Sequence, residues 1–203
     1  RALAAALIIL GGYLLGSIPF GYWVVRLFRG EDIRKTGSGN IGATNVWRAY
    51  GRWYGIPIVL LDISKGFVPA LVGTLAVSEL IGVLAGGAAM LGHWRPLFLR
   101  FRKGGKTVAA AGGVFFGVAP LIGAIGLAIW IVVFVATRYA SVASIVTALA
   151  LPFVGLVLGE PWPVIVFAGL AGFAVLLLHQ PNIARLRAGT ESRFALRRGQ
   201  PTT

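Results

Sequence analysis

The residues best suited to chemistry fall in short polar runs between long apolar ones. The first run is Gly37-Ser38-Gly39-Asn40-Ile41-Gly42-Ala43-Thr44-Asn45-Val46-Trp47-Arg48. Ser38, Asn40, Thr44 and Asn45 bring side-chain donors, while Gly39 and Gly42 leave backbone N–H groups open. Such a nest can hold an anion, and the planar Arg48 guanidinium can add a two-pronged contact to phosphate. A plain glycine-rich turn, with Thr44 or Asn45 capping the next helix, accounts for the same composition.

The second run is Lys103-Gly104-Gly105-Lys106-Thr107. A nucleotide-binding P-loop would need glycine at position 100, where Arg100 stands, and a strand before it. An NTP site is therefore not expected. Gly104 and Gly105 at a helix start, with Lys106 beside them, still make an anion site. Lys103 and Lys106 compete for that role. Lys106 is preferred because it abuts Gly105 and the helix start, whereas Lys103 reads as a membrane-surface anchor.

Three further sets stand out. His179-Gln180-Pro181-Asn182 follows an apolar run, and a neutral-range imidazole there suits proton transfer or a phosphate contact. A lone His at a helix end is also a common structural hydrogen-bonder. Ser141 and Ser144 share a helix face at i, i+3. Helix capping by Ser141 and packing by Ser144 are the plainer roles for them. Asp62 and Lys65 form another i, i+3 pair inside an apolar run, where ionisable groups are costly and face a partner or a cavity. They read as an internal ion pair that could also wall a polar site.

Some chemistries are absent. There is no Cys, so disulfides, thiolate metal sites and Cys nucleophiles are excluded. No metal site and no cofactor are expected, with two His and six acidic residues in 203. No H-E-x-x-H or G-x-S-x-G occurs. Neither His93 nor His179 is followed by Asp at the His-x4-Asp spacing common in glycerolipid acyltransferases.

The elements that must position these residues are membrane helices. Hydrophobic residues make up 57% and charged residues 12%, and mean hydropathy is +0.83. Soluble domains carry about a quarter charged residues. Seven apolar stretches are expected to span, at about Leu3–Arg26, Tyr54–Val77, Leu80–Leu91, Thr107–Val118, Leu121–Thr137, Ser141–Leu158 and Pro163–Leu178. The third and fourth are short for a span. The chain opens on Arg1, which reads as a trimmed start. Its apolar run continues to about Val25 without an A-x-A-like stop, so a retained span is expected there. Glycines such as Gly82, Gly86 and Gly87 should let helices approach closely.

The net charge of +13 sits between the spans, which favours anionic lipid or a phosphorylated substrate over nucleic acid. Arg26, Arg29, Arg34, Lys35, Arg48 and Arg52 lie in one loop, and Arg95, Arg100, Arg102, Lys103 and Lys106 in another. Arg138 follows the fifth span, and the tail is basic through Arg197 and Arg198. The loops between carry no Lys or Arg. The positive-inside rule then places segments 27–53, 92–106, 138–141 and 179–203 in the cytoplasm, with the N-terminus outside. The expected fold is an all-α polytopic bundle of about seven transmembrane helices forming one domain over 1–203.

Together these runs resemble the bacterial acyl-phosphate:glycerol-3-phosphate acyltransferase family. The matching stretches are Ser38–Arg48, Gly92–Val108 and His179–Glu191, with Leu61–Gly66 and Arg138–Val142. Thr107 stands where that family usually has Gly, and Ala110 where it has Thr. The resemblance implies transfer of a fatty acyl group from acyl phosphate to the 1-hydroxyl of glycerol 3-phosphate, in the bacterial plasma membrane and on its cytoplasmic face. It implies catalytic roles for Arg48, Lys106, His179, Asn182 and Ser144. Substrate contacts would come from Ser38, Gly39, Asn40, Gly42, Thr44, Asn45, Asp62, Lys65, Gly104, Gly105, Ser141 and Glu191. The base for the glycerol hydroxyl is left open between His179 and a substrate phosphate. Acyl phosphate, glycerol 3-phosphate and membrane lipid are the expected partners. Oligomeric state is left open, with a monomer allowed. The rival class is a transporter for a phosphorylated solute, against which stand the one-sided motifs and the lack of a repeat.

Overall fold

The computed structural model describes residues 1–194, and every regular element among them is helical. The described residues form two compact units, one over Arg1–Gly123 and one beginning at Ala124.

The first unit begins with α1 (Ala2–Gly16) and α2 (Phe20–Arg29). The expected continuous span is interrupted at Ser17–Pro19. Pro19 has no N–H to extend the ladder, and its ring pushes Ile18 out of the helical region. The two helices still count as one 28-residue apolar stretch. Arg26 and Arg29 occupy the last turn of α2, where cations oppose the helix dipole, and Gly30 closes it at φ 68°. A 3₁₀ turn, Ile33–Lys35, leads to α3 (Ala43–Tyr50) and α4 (Arg52–Ala76). At 25 residues α4 is about 37 Å long, enough to cross a hydrocarbon core of about 30 Å. It does so with Pro57 and Pro69 inside it, as membrane helices tolerate.

α5 (Glu79–Trp94) and α6 (Val108–Val118) are shorter, about 24 Å and 16 Å. Both therefore fall short of the core thickness, as the sequence led one to expect. A second 3₁₀ turn, Leu97–Leu99, lies between them. These helices pack through small residues. A Cβ added at Gly66 of α4 would strike the Ala110 backbone of α6, and one at Gly113 would strike Ile63. Gly12 and Gly16 of α1 meet Ala85 and Ala89 of α5 in the same way, and Gly82 meets Ala70 and Thr74 of α4. Lipid gives apolar helices no reason to associate, so this close van der Waals fit is what joins them.

α7 (Pro120–Thr137) opens at the end of the first unit and runs into the second. The second unit continues with α8 (Ala140–Leu158), α9 (Trp162–Leu178) and α10 (Gln180–Arg187). Gly172 of α9 sits against the Ala148 carbonyl of α8. α9 and α10 bend by 55° at His179. Pro181 lies in the first turn of α10, where a missing N–H goes unnoticed.

Among the described residues, four stretches are long and apolar enough to cross a membrane: Ala2–Arg29, α4, α7 and α8. The bent α9–α10 pair makes five. Large apolar side chains stand fully out from the helices, Leu75 77% exposed and Val157 86% exposed, as a lipid-facing surface requires. Arg197 and Arg198 lie outside the described residues.

Candidate active site

In the first unit, the polar loop before α3 is built around Asn45. Its Oδ1 accepts from the Ser38 N–H at 3.0 Å. Its Nδ2 donates to the Thr36 and Asn40 carbonyls, each at 2.9 Å. Asn45 is buried, and its amide is taken up in shaping its own loop. The expected cap role for Thr44 or Asn45 is not met: Gly42 is the cap of α3, with no side-chain cap bond. Asn40 Oδ1 accepts from the Gly42 N–H at 2.7 Å. Gly37 and Gly39 turn the chain at φ 58° and 68°, which side chains rarely adopt. An apolar cluster of Val25, Ile33, Ile41, Ala43, Val46, Ile58 and Leu99 lies beneath. Ser38 and Thr44 are exposed and Arg48 is half-buried.

A cleft of 220 Å³ in this unit is lined by Arg34, Phe98, Leu99, Arg100 and Arg102. It joins the flanks of the two phosphate-suited runs. Arg34 is held to Asp32 at 2.7 Å, and that guanidinium bond draws the Asp32 carboxyl down to about 2. Arg100 and Phe101 both take positive φ, 53° and 58°, so the chain turns tightly as it enters the second run.

The second run is fastened to the end of α5. The Gly104 N–H donates to the Trp94 carbonyl and the Gly105 N–H to the His93 carbonyl, both at 2.9 Å. The glycines are required by closeness. A Cβ at Gly104 would strike the His93 carbonyl, and one at Gly105 would enter the His93 ring. Gly104 and Gly105 are buried, Lys106 half-buried and Lys103 exposed. Thr107 precedes α6 at φ 64°, a conformation that the resembled family's usual glycine takes without strain. The Thr107 hydroxyl and the Asn40 Nδ2 are buried donors that the described residues leave without a hydrogen-bond partner.

Asp62 and Lys65 form the expected pair, Nζ to Oδ1 at 2.7 Å. Both are enclosed, at 2% and 0% exposure. His93, which sequence reasoning did not join to them, brings Nδ1 to 3.2 Å from Lys65 Nζ.

In the second unit, Glu191 is the hub. Its Oε1 accepts from Ser141 Oγ at 2.8 Å and Asn182 Nδ2 at 2.6 Å, and its Oε2 from Arg185 Nε at 2.7 Å. Gly189, at φ 69°, turns the chain back after α10 so that Glu191 can reach these donors. Burial pushes the Glu191 carboxyl upward, but the bonds from Asn182, Ser141 and Arg185 outweigh it and leave it below its ordinary range. Ser141 is thus bonded to Glu191; Tyr139, not Ser141, is the cap of α8. Ser144 takes the packing role: its hydroxyl donates to the Ala140 carbonyl at 2.7 Å and accepts from Trp130 Nε1 at 3.1 Å. His179 is buried at the α9–α10 bend, with Nδ1 2.8 Å from the Val175 carbonyl. A carbonyl only accepts, so Nδ1 carries the proton and the neutral ring's other nitrogen is basic.

Sequence reasoning missed His93, Arg34, Arg100 and Arg102 as members of polar clusters. The pairing of Gly92-His93 with the glycine run in one motif was the available signal for His93.

Helices of this kind, with polar clusters set among lipid-facing apolar faces, define an all-α polytopic membrane protein. Residues 6–189 match the family described as Glycerol-3-phosphate acyltransferase. A protein of that name from Desulforudis audaxviator is 42% identical over 97% of this chain and 99% of its own. One from Geotalea daltonii is 45% identical over 92% and 96%. The crystal structure of PlsY (YgiH), an integral membrane glycerol 3-phosphate acyltransferase, in its glycerol 3-phosphate form, superposes with a TM-score of 0.91. It is 40% identical and is covered over 96% of its chain, against 95% of this one. The lysophosphatidic acid form gives 0.87 at 39% identity. The chain belongs to the glycerol-3-phosphate acyltransferase family.

Proposed function

We propose that this protein transfers a fatty acyl group from acyl phosphate to the 1-hydroxyl of glycerol 3-phosphate. The products are 1-acylglycerol 3-phosphate and inorganic phosphate, in the first acylation of phospholipid biosynthesis. The observation that carries the reading is the Gly104-Gly105-Lys106 loop at the start of α6, pinned to α5 and flanked by a cleft of arginines. Family membership, and the substrate and product forms of the similar PlsY structures, support it.

Acyl phosphate is a mixed anhydride and needs no further activation. The glycerol hydroxyl attacks the acyl carbon, the bond from that carbon to the phosphate oxygen breaks, and phosphate leaves. Two phosphate groups and a developing oxyanion call for preorganised positive charge and N–H donors. Arg48 and Lys106 supply the charge in the first unit, with Ser38 and Thr44 the hydroxyls that reach solvent. The Gly104 and Gly105 N–H groups are already bonded to the end of α5, and the Gly39 and Gly42 N–H groups within their own loop, so these glycines act by shaping the two runs rather than as open donors. Asn45 acts by shaping the loop. In the second unit His179 and Asn182 hold glycerol 3-phosphate, with Glu191 fixing Asn182 and holding Ser141 beside it, and Ser144 a further hydroxyl on the same face of α8 as Ser141. The hydroxyl proton goes to a substrate phosphate oxygen. His179 is the competing base, since its Nδ1–H bond leaves the other nitrogen as acceptor. Exposed apolar helix faces hold the acyl chain, at about 0.8 kcal/mol per buried CH₂.

The seven-span topology, with the N-terminus outside and the reaction at the cytoplasmic face of the bacterial inner membrane, rests on the distribution of Lys and Arg. Nothing observed favours the transporter reading. Purified protein given both substrates should release phosphate. No release, or release that does not depend on glycerol 3-phosphate, overturns the proposal.

A further inference from the structure

Resting on the reading of Gly104-Gly105-Lys106 as the phosphate-binding loop, we infer that His93 is a positioning residue that couples the buried Asp62–Lys65 pair of α4 to that loop. Three ionisable side chains lie inside the apolar packing of the first unit: Asp62 2%, Lys65 0% and His93 4% exposed. A buried ion pair is rarely a net gain in stability, because apolar residues of similar volume hold a core as well or better. Such groups at membrane depth instead mark function.

The contacts run in one direction. Asp62 Oδ1 holds Lys65 Nζ at 2.7 Å, and the ammonium also lies 4.8 Å from the centre of the Phe20 ring. Lys65 Nζ then meets His93 Nδ1 at 3.2 Å. With Lys65 as donor, Nδ1 accepts, and the ring is fixed in plane and direction. Its opposite edge fills the space where a Gly105 Cβ would stand. The His93 carbonyl accepts from the Gly105 N–H at 2.9 Å, so backbone and ring grip the same residue. Lys106 is the next residue, and α6 begins two positions after it. The ion pair sets the ring, the ring sets Gly105, and Gly105 sets where Lys106 leaves the loop. Without the ring, Gly105 can sink toward α4. A displacement of about 1 Å at a charge-stabilising group can cost as much as about 100-fold.

The test compares steady-state kinetics of purified, full-length His93→Ala, His93→Gln and Lys106→Ala. Loss of folded protein alone lowers the maximal rate and leaves both KM values unchanged. The expected result is that Lys106→Ala and His93→Ala raise the KM of the same phosphorylated substrate, His93→Ala by roughly tenfold or more. His93→Gln, which keeps an acceptor for Lys65, should restore most of the affinity. If Lys106→Ala raises that KM and His93→Ala does not, the positioning role is overturned while the phosphate loop stands. If Lys106→Ala changes neither KM, the loop reading falls and this inference with it. Should His93→Ala not fold, the double variant Asp62→Asn with Lys65→Met removes the pair without stranding a charge. An unchanged KM in that variant overturns the inference, and a rise in the same KM supports it.

Discussion

Glu191 offers the sharpest separation of structural from chemical roles. One carboxylate accepts three bonds, from Ser141, Asn182 and Arg185. In Glu191→Ala, Ser141 and Asn182 keep their buried donors but lose the acceptor. Each orphaned group costs about 1–3 kcal/mol. The Arg185 side chain is 38% exposed and can return to water, so its share is at most about 1 kcal/mol. The sum is roughly 2–7 kcal/mol. Glu191→Gln keeps Oε1 for Ser141 and Asn182 and gives up only the Arg185 pair, at a cost of about 1 kcal/mol. For a chain of this size, 1 kcal/mol moves Tm by about 2–4 °C. Thermal unfolding in detergent at neutral pH should therefore show a small shift for Gln and a loss several times larger for Ala.

The pH dependence has a definite sign. The folded-state carboxyl lies below its ordinary value, so the charged form is favoured by folding. Its contribution is present above the unfolded value of about 4.5 and is lost as pH falls through the lower, folded one. The gap between wild type and Glu191→Gln should close in acid. Equal shifts for Ala and Gln, or a gap that widens in acid, refute the hub assignment.

Other consequences follow from single positions. Arg48→Lys should raise a substrate KM about tenfold, because an ammonium cannot copy the guanidinium fork; near-normal kinetics would remove Arg48 from the phosphate clamp. Gly105→Ala should lose most activity as its Cβ enters the His93 ring. Gly112→Ala, with open space around the new atom, should keep activity and unfold no lower than wild type. Thr107→Gly relieves a left-handed β-branched residue at φ 64° and should raise Tm by a few degrees; a fall would show that the Thr side chain holds the loop in place.

Much of the architecture is written locally. Apolar runs announce the helices, and the i, i+3 spacing of Asp62 and Lys65 announces their pairing. Partners far apart in sequence are not legible in this way. His93 meets Lys65 from another helix, 28 residues along the chain, and only the α4–α5 packing brings them together. Ser141 looked like a helix cap because Ser is a good one, but Glu191, 50 residues later, competes for its hydroxyl and wins with a charge-assisted bond. Asn45 carries the signature of a ligand donor, yet its amide matches the carbonyls of its own loop. The break at Ile18-Pro19 was legible from the proline, but hydropathy ran straight through it.

The central claim is tested most directly by the products. Purified protein, supplied with an acyl phosphate and glycerol 3-phosphate, should form one molecule of 1-acylglycerol 3-phosphate for each phosphate released, as measured by mass spectrometry and phosphate assay together. Phosphate released without acylated product, or acylation that proceeds as fast from an acyl thioester as from acyl phosphate, would contradict the account.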